Sequence, residues 1–144
     1  MRSFLFCLVP RRTLATHHAN GDNRARVNTE VLQRRIRALA LSWPKTYEDE
    51  PWGHPVFKVD DNRMFAGMSS HEGAVLLTVK VTPEEREVAL QLPFVSVARY
   101  VGRYGWITAE IRDEESLDAA LEWLRESYWL RAPAELRRAV EADE

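Results

Sequence analysis

Residues 98–107 read Ala98-Arg99-Tyr100-Val101-Gly102-Arg103-Tyr104-Gly105-Trp106-Ile107, with two arginines, three large aromatics and two glycines and no acid. Arginines hold phosphates, aromatic faces stack on bases, and glycines let a backbone come close. The chemistry this mixture suits is strand binding, not bond making. Arg99 and Arg103 would contact phosphate; Tyr104 and Trp106 would stack or wedge. Lys58 and Lys80, on neighbouring expected strands, extend the patch if they share a sheet face. His54, in Trp52-Gly53-His54-Pro55, would stand at the rim. The same stretch also fits a plain strand–turn–strand corner, with Tyr100 and Trp106 as packing partners and the arginines as surface charges.

Catalytic signatures are missing. There is no G-x-S-x-G, phosphate-binding loop, dinucleotide fingerprint or H-E-x-x-H. His17 and His18 are adjacent and so share neither a helix face nor a strand side. His54 and His71 fall in loops, where a lone histidine most often meets solvent. A small-molecule or metal-binding site of His54 with Glu48, Asp49 and Glu50 is a further alternative. Glu84-Glu85 and Glu114-Glu115 are better explained as helix-start charges opposing the macrodipole. The expectation is a non-enzymatic protein with no cofactor and no metal.

The length of 144 residues, with 45% apolar and 29% charged, is that of one folded domain with a real core. Charge is unevenly spread. Residues 1–27 carry Arg2, Arg11, Arg12, Arg24 and Arg26 against Asp22, while the remainder holds 15 basic and 21 acidic side chains. A polyanion would therefore need a local basic patch. The lone Cys7 excludes an internal disulfide and a cysteine-rich zinc site, as in a reducing cytoplasm. The apolar run Phe4-Leu5-Phe6-Cys7-Leu8-Val9 meets Pro10-Arg11-Arg12 at once and is too short to span a bilayer. Residues 1–27 read as an N-terminal extension or an early start, with 28–144 the domain and no membrane contact.

Elements that would position these residues follow from periodicity. Asn28-Thr29 caps a helix whose Leu32, Ile36, Leu39, Ala40 and Trp43 share one face, with Glu30 and Arg34 paired outside and Pro44 as the stop. Residues 46–55 read as a polar connection. Strands follow at 56–59, 64–69 and 74–81, with loops short enough to require antiparallel neighbours. Thr82-Pro83-Glu84-Glu85 starts a brief helix with a capping box closed by Glu85. Strands at 95–100 and 106–111 bracket the central stretch, and Asp113 caps a last long helix striped by Leu117, Ala120, Leu121, Leu124 and Tyr128. The expected fold is α+β in two layers: an antiparallel five-stranded sheet with helices on one face, in the order α-βββ-α-ββ-α.

Several segments together resemble the MmcQ/YjbR family of small bacterial proteins. They are Pro51-Trp52-Gly53-His54-Pro55-Val56-Phe57-Lys58-Val59, Arg63-Met64-Phe65-Ala66, Leu77-Thr78-Val79-Lys80, Tyr100-Val101-Gly102-Arg103-Tyr104-Gly105-Trp106-Ile107 and Glu126-Ser127-Tyr128. The likeness runs from about Asn28 to Ala132, with Arg63 where many relatives carry a lysine. It implies a CyaY-like or secretion-chaperone-like fold and DNA as the partner. The rival implied by the same fold is a protein-interaction or chaperone-like module, or a homodimer, using the sheet face away from the helices or exposed aromatics such as Trp129.

Overall fold

The Asn28 side chain accepts the Glu30 N–H at 2.6 Å, and the first helix, α1 (Thr29–Ala40), starts there. A computed structural model describes residues 27–143. The expected extension (residues 1–26), with Cys7, His17 and His18, lies outside the described residues. Helix α1 buries Leu32, Ile36 and Ala40 as the spacing predicts, but ends at Ala40, before Pro44 can act. Its outer face does not form the Glu30–Arg34 pair. Instead Arg37 reaches Glu48 through two bonds of 2.8 and 3.1 Å.

That contact explains one correction. The supposed connection contains a strand, β1 (Thr46–Asp49), so the sheet has six strands, not five. Thr46-Tyr47-Glu48-Asp49 has no apolar alternation to announce it. It is held by its ladder to β2 (Val56–Val59), and by side-chain bonds from Arg37 and Lys58. Strand β3 (Arg63–His71), β4 (Ala74–Lys80), helix α2 (Pro83–Ala89), β5 (Val95–Val97), β6 (Trp106–Ile111), α3 (Glu114–Arg131) and α4 (Ala134–Asp143) follow. All pairings are antiparallel, in the order β1-β2-β3-β4-β6-β5.

One sheet face carries Val75, Leu77, Val79, Ile107, Ala109 and Ile111 against α1 and α3. Fully removing a Leu, Ile or Phe side chain from water contributes about 1.5–3 kcal/mol. Trp43, Phe65 and Tyr128 form the aromatic part of this core, with Trp43 and Tyr128 stacked at 4.9 Å and Phe65 edge-on to Tyr128 at 5.5 Å. The Tyr128 hydroxyl donates to the Pro44 carbonyl at 3.0 Å, which gives its polar end a partner.

A β-bulge admits Phe65. Ala66 faces Phe57 but Met64 faces Lys58, so Phe65 is the extra residue on β3. The interrupted ladder is repaired from α3: the buried Ser127 hydroxyl donates to the Phe65 carbonyl at 2.6 Å and accepts the Lys80 N–H at 2.9 Å. Helix α2 departs from the expected capping box. Thr82 does accept the Glu85 N–H at 3.2 Å, but the Thr82 N–H goes to Glu126 of α3 at 2.8 Å. Glu85 instead accepts from the Trp123 indole at 2.9 Å.

Candidate functional site

Strand β5 ends at Val97, three residues short of the expected 95–100 strand. Residues 98–105 leave the sheet as a tight loop. The Val101 N–H bonds back to the Arg99 carbonyl at 2.6 Å, a three-residue turn centred on Tyr100 with φ of +66°. A bulky residue rarely takes this conformation, and such strain gathers at functional positions. Tyr100 is nevertheless 90% exposed, so no packing energy holds it there. A short 3-10 turn, Gly102–Tyr104, then closes onto Gly105. Gly102 packs closely, since a Cβ there would lie 2.3 Å from a methyl of the half-exposed Val97.

The arginines stack on their own neighbours. The Arg99 guanidinium lies 5.8 Å from the Tyr100 ring centroid and that of Arg103 5.0 Å from Tyr104, which is 56% exposed. Lys80 donates its ammonium to the Tyr104 carbonyl, tying β4 to the loop. Trp106 is paired opposite Lys80 in the ladder and only 6% exposed. It packs rather than offering a face to stack on.

Two cations not singled out for binding from the sequence join this end of the sheet. Arg131, at the end of α3, donates to the Met64 carbonyl at 2.8 Å and lies 6.0 Å from the Trp106 ring centroid. Arg63 donates to the Arg131 carbonyl at 3.1 Å. Partial burial, then the Arg63 charge, holds Arg131 below the usual guanidinium range. None of Arg63, Lys80, Arg99, Arg103 and Arg131 makes an ion pair among the described residues. In the sequence Arg63 stands out as a basic residue after the Asp60-Asp61-Asn62 turn and at a family position often held by lysine, but nothing there points to Arg131.

Two expected members are placed elsewhere. Lys58 shares the open sheet face with Lys80, but its side chain is 13% exposed and bonded to Asp49 at 2.9 Å and Asn62 at 2.7 Å. Its charge is spent locally, and the Lys58 bond is the first cause that holds Asp49 below the usual carboxylate range. His54 precedes Val56, whose row runs through Gly67 and Thr78 to Thr108, two residues along the ladder from the Lys80–Trp106 row, with β2 two strands from β4 and three from β6. It faces exposed Trp52 at 6.4 Å rather than the arginines. The alternative acid–histidine site does not assemble either: Glu48 is held by Arg37, Asp49 by Lys58, and no group of metal-ligating residues forms among the described residues. No described helix is long and apolar enough to cross a membrane.

The YjbR family model matches residues 41–130, from the turn after α1 through nearly all of α3. The chain belongs to the YjbR family. Two solved structures resemble it. The Deinococcus radiodurans protein DR2400, described by the domain DUF419, is 24% identical with a TM-score of 0.60 over 68% of this chain and 76% of that one. A Pseudomonas syringae protein is 20% identical with a TM-score of 0.56 over 69% of this chain and 97% of that one. These likenesses show the fold, the α+β sheet-and-helix architecture of YjbR proteins. No curated protein matches. Within the YjbR match fall Arg63, Lys80, the whole 98–105 loop and Trp106, while Arg131 stands one residue beyond it.

Proposed function

We propose that this YjbR protein is a non-enzymatic nucleic-acid-binding module that engages a strand through the loop at residues 98–105. The observation that carries the reading is Tyr100, held fully exposed in a strained turn with a guanidinium over its ring. Exposed aromatic faces stack on bases of any sequence, and guanidinium groups left without carboxylates attract phosphates. The acidic body repels a polyanion elsewhere, so the contact is confined to this end of the sheet. Stacking requires unpaired bases, so the reading favours single strands over duplex.

Fluorescence anisotropy with a labelled single-stranded oligonucleotide tests it. Tyr100→Ala and Tyr104→Ala should each weaken binding by about fivefold or more, since stacking contributes roughly 1–3 kcal/mol per base. Equal affinity of both variants and the parent chain would dismiss the loop. A protein partner on the same surface is the second reading, favoured by Val97 at 49% exposure on the edge strand β5. That reading predicts no oligonucleotide binding at any salt concentration.

A further inference from the structure

We propose a phosphate oxyanion site between the side chains of Arg63 and Arg131 that stands whether or not the loop binds a strand. The two arginines clasp each other's backbone. Arg63 donates from Nη1 to the Arg131 carbonyl, and Arg131 donates from Nε to the Met64 carbonyl. Each guanidinium is thus anchored by one N–H, and the rest of each fork has no partner among the described residues. The Arg131 guanidinium also lies over the Trp106 ring, 6.0 Å from its centroid.

Helix capping accounts for part of this. Arg63 satisfies a carbonyl at the C-terminus of α3, where a cation also complements the dipole. Capping does not explain two like charges brought together with no carboxylate between them. Arg35, Arg37 and Arg112 each have an acidic partner, whereas this pair, like Arg99 and Arg103, has none among the described residues. The pair lacks only an anion. Lys80, opposite Trp106 in the ladder, turns its ammonium to the Tyr104 carbonyl and so belongs to the loop rather than to this pair. Two forked cations suit the several oxygens of a phosphate better than the two of a planar carboxylate. Forked guanidinium groups bind phosphate oxygens in pairs. The phosphate belongs either to a nucleic-acid backbone or to a small phosphorylated molecule.

The test is isothermal titration of the full chain with inorganic phosphate, and with acetate at matched ionic strength. Phosphate should bind and acetate should not. Arg63→Gln, at an exposed position, should weaken phosphate about tenfold or more, because hydrogen bonds to charged groups contribute roughly 1.5–3 kcal/mol. Arg131→Lys keeps the charge but loses the fork, and should also weaken it; circular dichroism checks that both variants fold. If Arg63→Gln also lowers oligonucleotide affinity, the phosphate is that of a nucleic-acid backbone. If it loses phosphate but binds the oligonucleotide unchanged, the site serves a small phosphorylated ligand. Either pattern supports the site. No phosphate binding by the parent chain, or equal binding by folded Arg63→Gln, overturns it even if the loop binds DNA.

Discussion

The Lys80 ammonium donates to the carbonyl of Tyr104, so the last residue of β4 holds the second half of the 98–105 loop. A cation that would contact phosphate is therefore also a brace. Lys80→Met removes both roles while keeping the apolar stem. Oligonucleotide affinity should fall more than in Arg99→Gln, which removes a charge alone. Parallel anisotropy titrations at one salt concentration give the comparison. Equal losses would mean that the brace does nothing for binding.

Tyr100 sits in a conformation suited to glycine. Tyr100→Gly relieves the backbone strain and removes the ring together. The melting temperature should stay level or rise, while strand affinity falls several-fold. A marked fall in melting temperature would show that the ring supports the fold. Gly102→Ala should act in the opposite sense, since its methyl would strike Val97. Because the half-exposed Val97 can turn aside, the cost should stay near or below about 1 kcal/mol, the low end of overpacking, read as a slightly lower denaturant midpoint.

Ser127 should be the most sensitive small residue. Ser127→Ala leaves the Phe65 carbonyl and the Lys80 N–H without their bridge at the bulge. Each unpaired buried group costs roughly 1–3 kcal/mol. Urea unfolding should show a loss within or above that range. An unchanged midpoint would mean that the strands can close the bulge unaided.

Two half-buried carboxylates make stability depend on pH. Burial holds Glu85 above the usual carboxylate range, opposed by the Trp123 bond and reinforced by the Glu126 charge. Burial likewise raises Glu126, opposed by its bonds from Thr82. A folded pKa above the unfolded value means that the folded state binds protons more tightly. The resulting stability is complete below the ordinary value of 4.5 and is lost as pH rises through the folded values. Asp49 has the opposite sign: its stabilisation is present above 3.8 and fades below it. Glu126→Gln retains an oxygen to accept the Thr82 N–H. It should melt higher than the parent chain at about pH 7.5, with that advantage shrinking towards about pH 4.5. A constant difference across the range would locate the effect elsewhere.

How far the sequence could be read depended on whether neighbours in the fold were also neighbours in the chain. The stripes of α1 and α3 and the alternation in β4 are local patterns, and Leu32, Ile36, Leu117, Leu124, Val75 and Leu77 are buried as expected. Strand β1 is hydrophilic and depends on partners in α1 and β2, so its residues looked like loop. The bulge at Phe65 is invisible because Met64-Phe65-Ala66 reads as unbroken strand. In the site, the loop itself was legible from Arg99, Arg103 and its glycines. Whether Lys58 was free, or Trp106 accessible, depended on Asp49, Asn62 and the packing of the sheet end. Arg63 and Arg131 meet across 68 positions of sequence, beyond the reach of any spacing rule.

The most direct measurement is the salt dependence of single-stranded oligonucleotide binding for the parent chain and the Arg99→Gln/Arg103→Gln double variant. Each phosphate contact on a single strand contributes a slope of about −0.7 in log affinity against log salt. The parent chain should bind with a clear negative slope, and the double variant should bind more weakly with a slope shallower by about 1.4, at unchanged melting temperature. Identical affinity and slope for the two, or no binding by the parent chain, would contradict the nucleic-acid role.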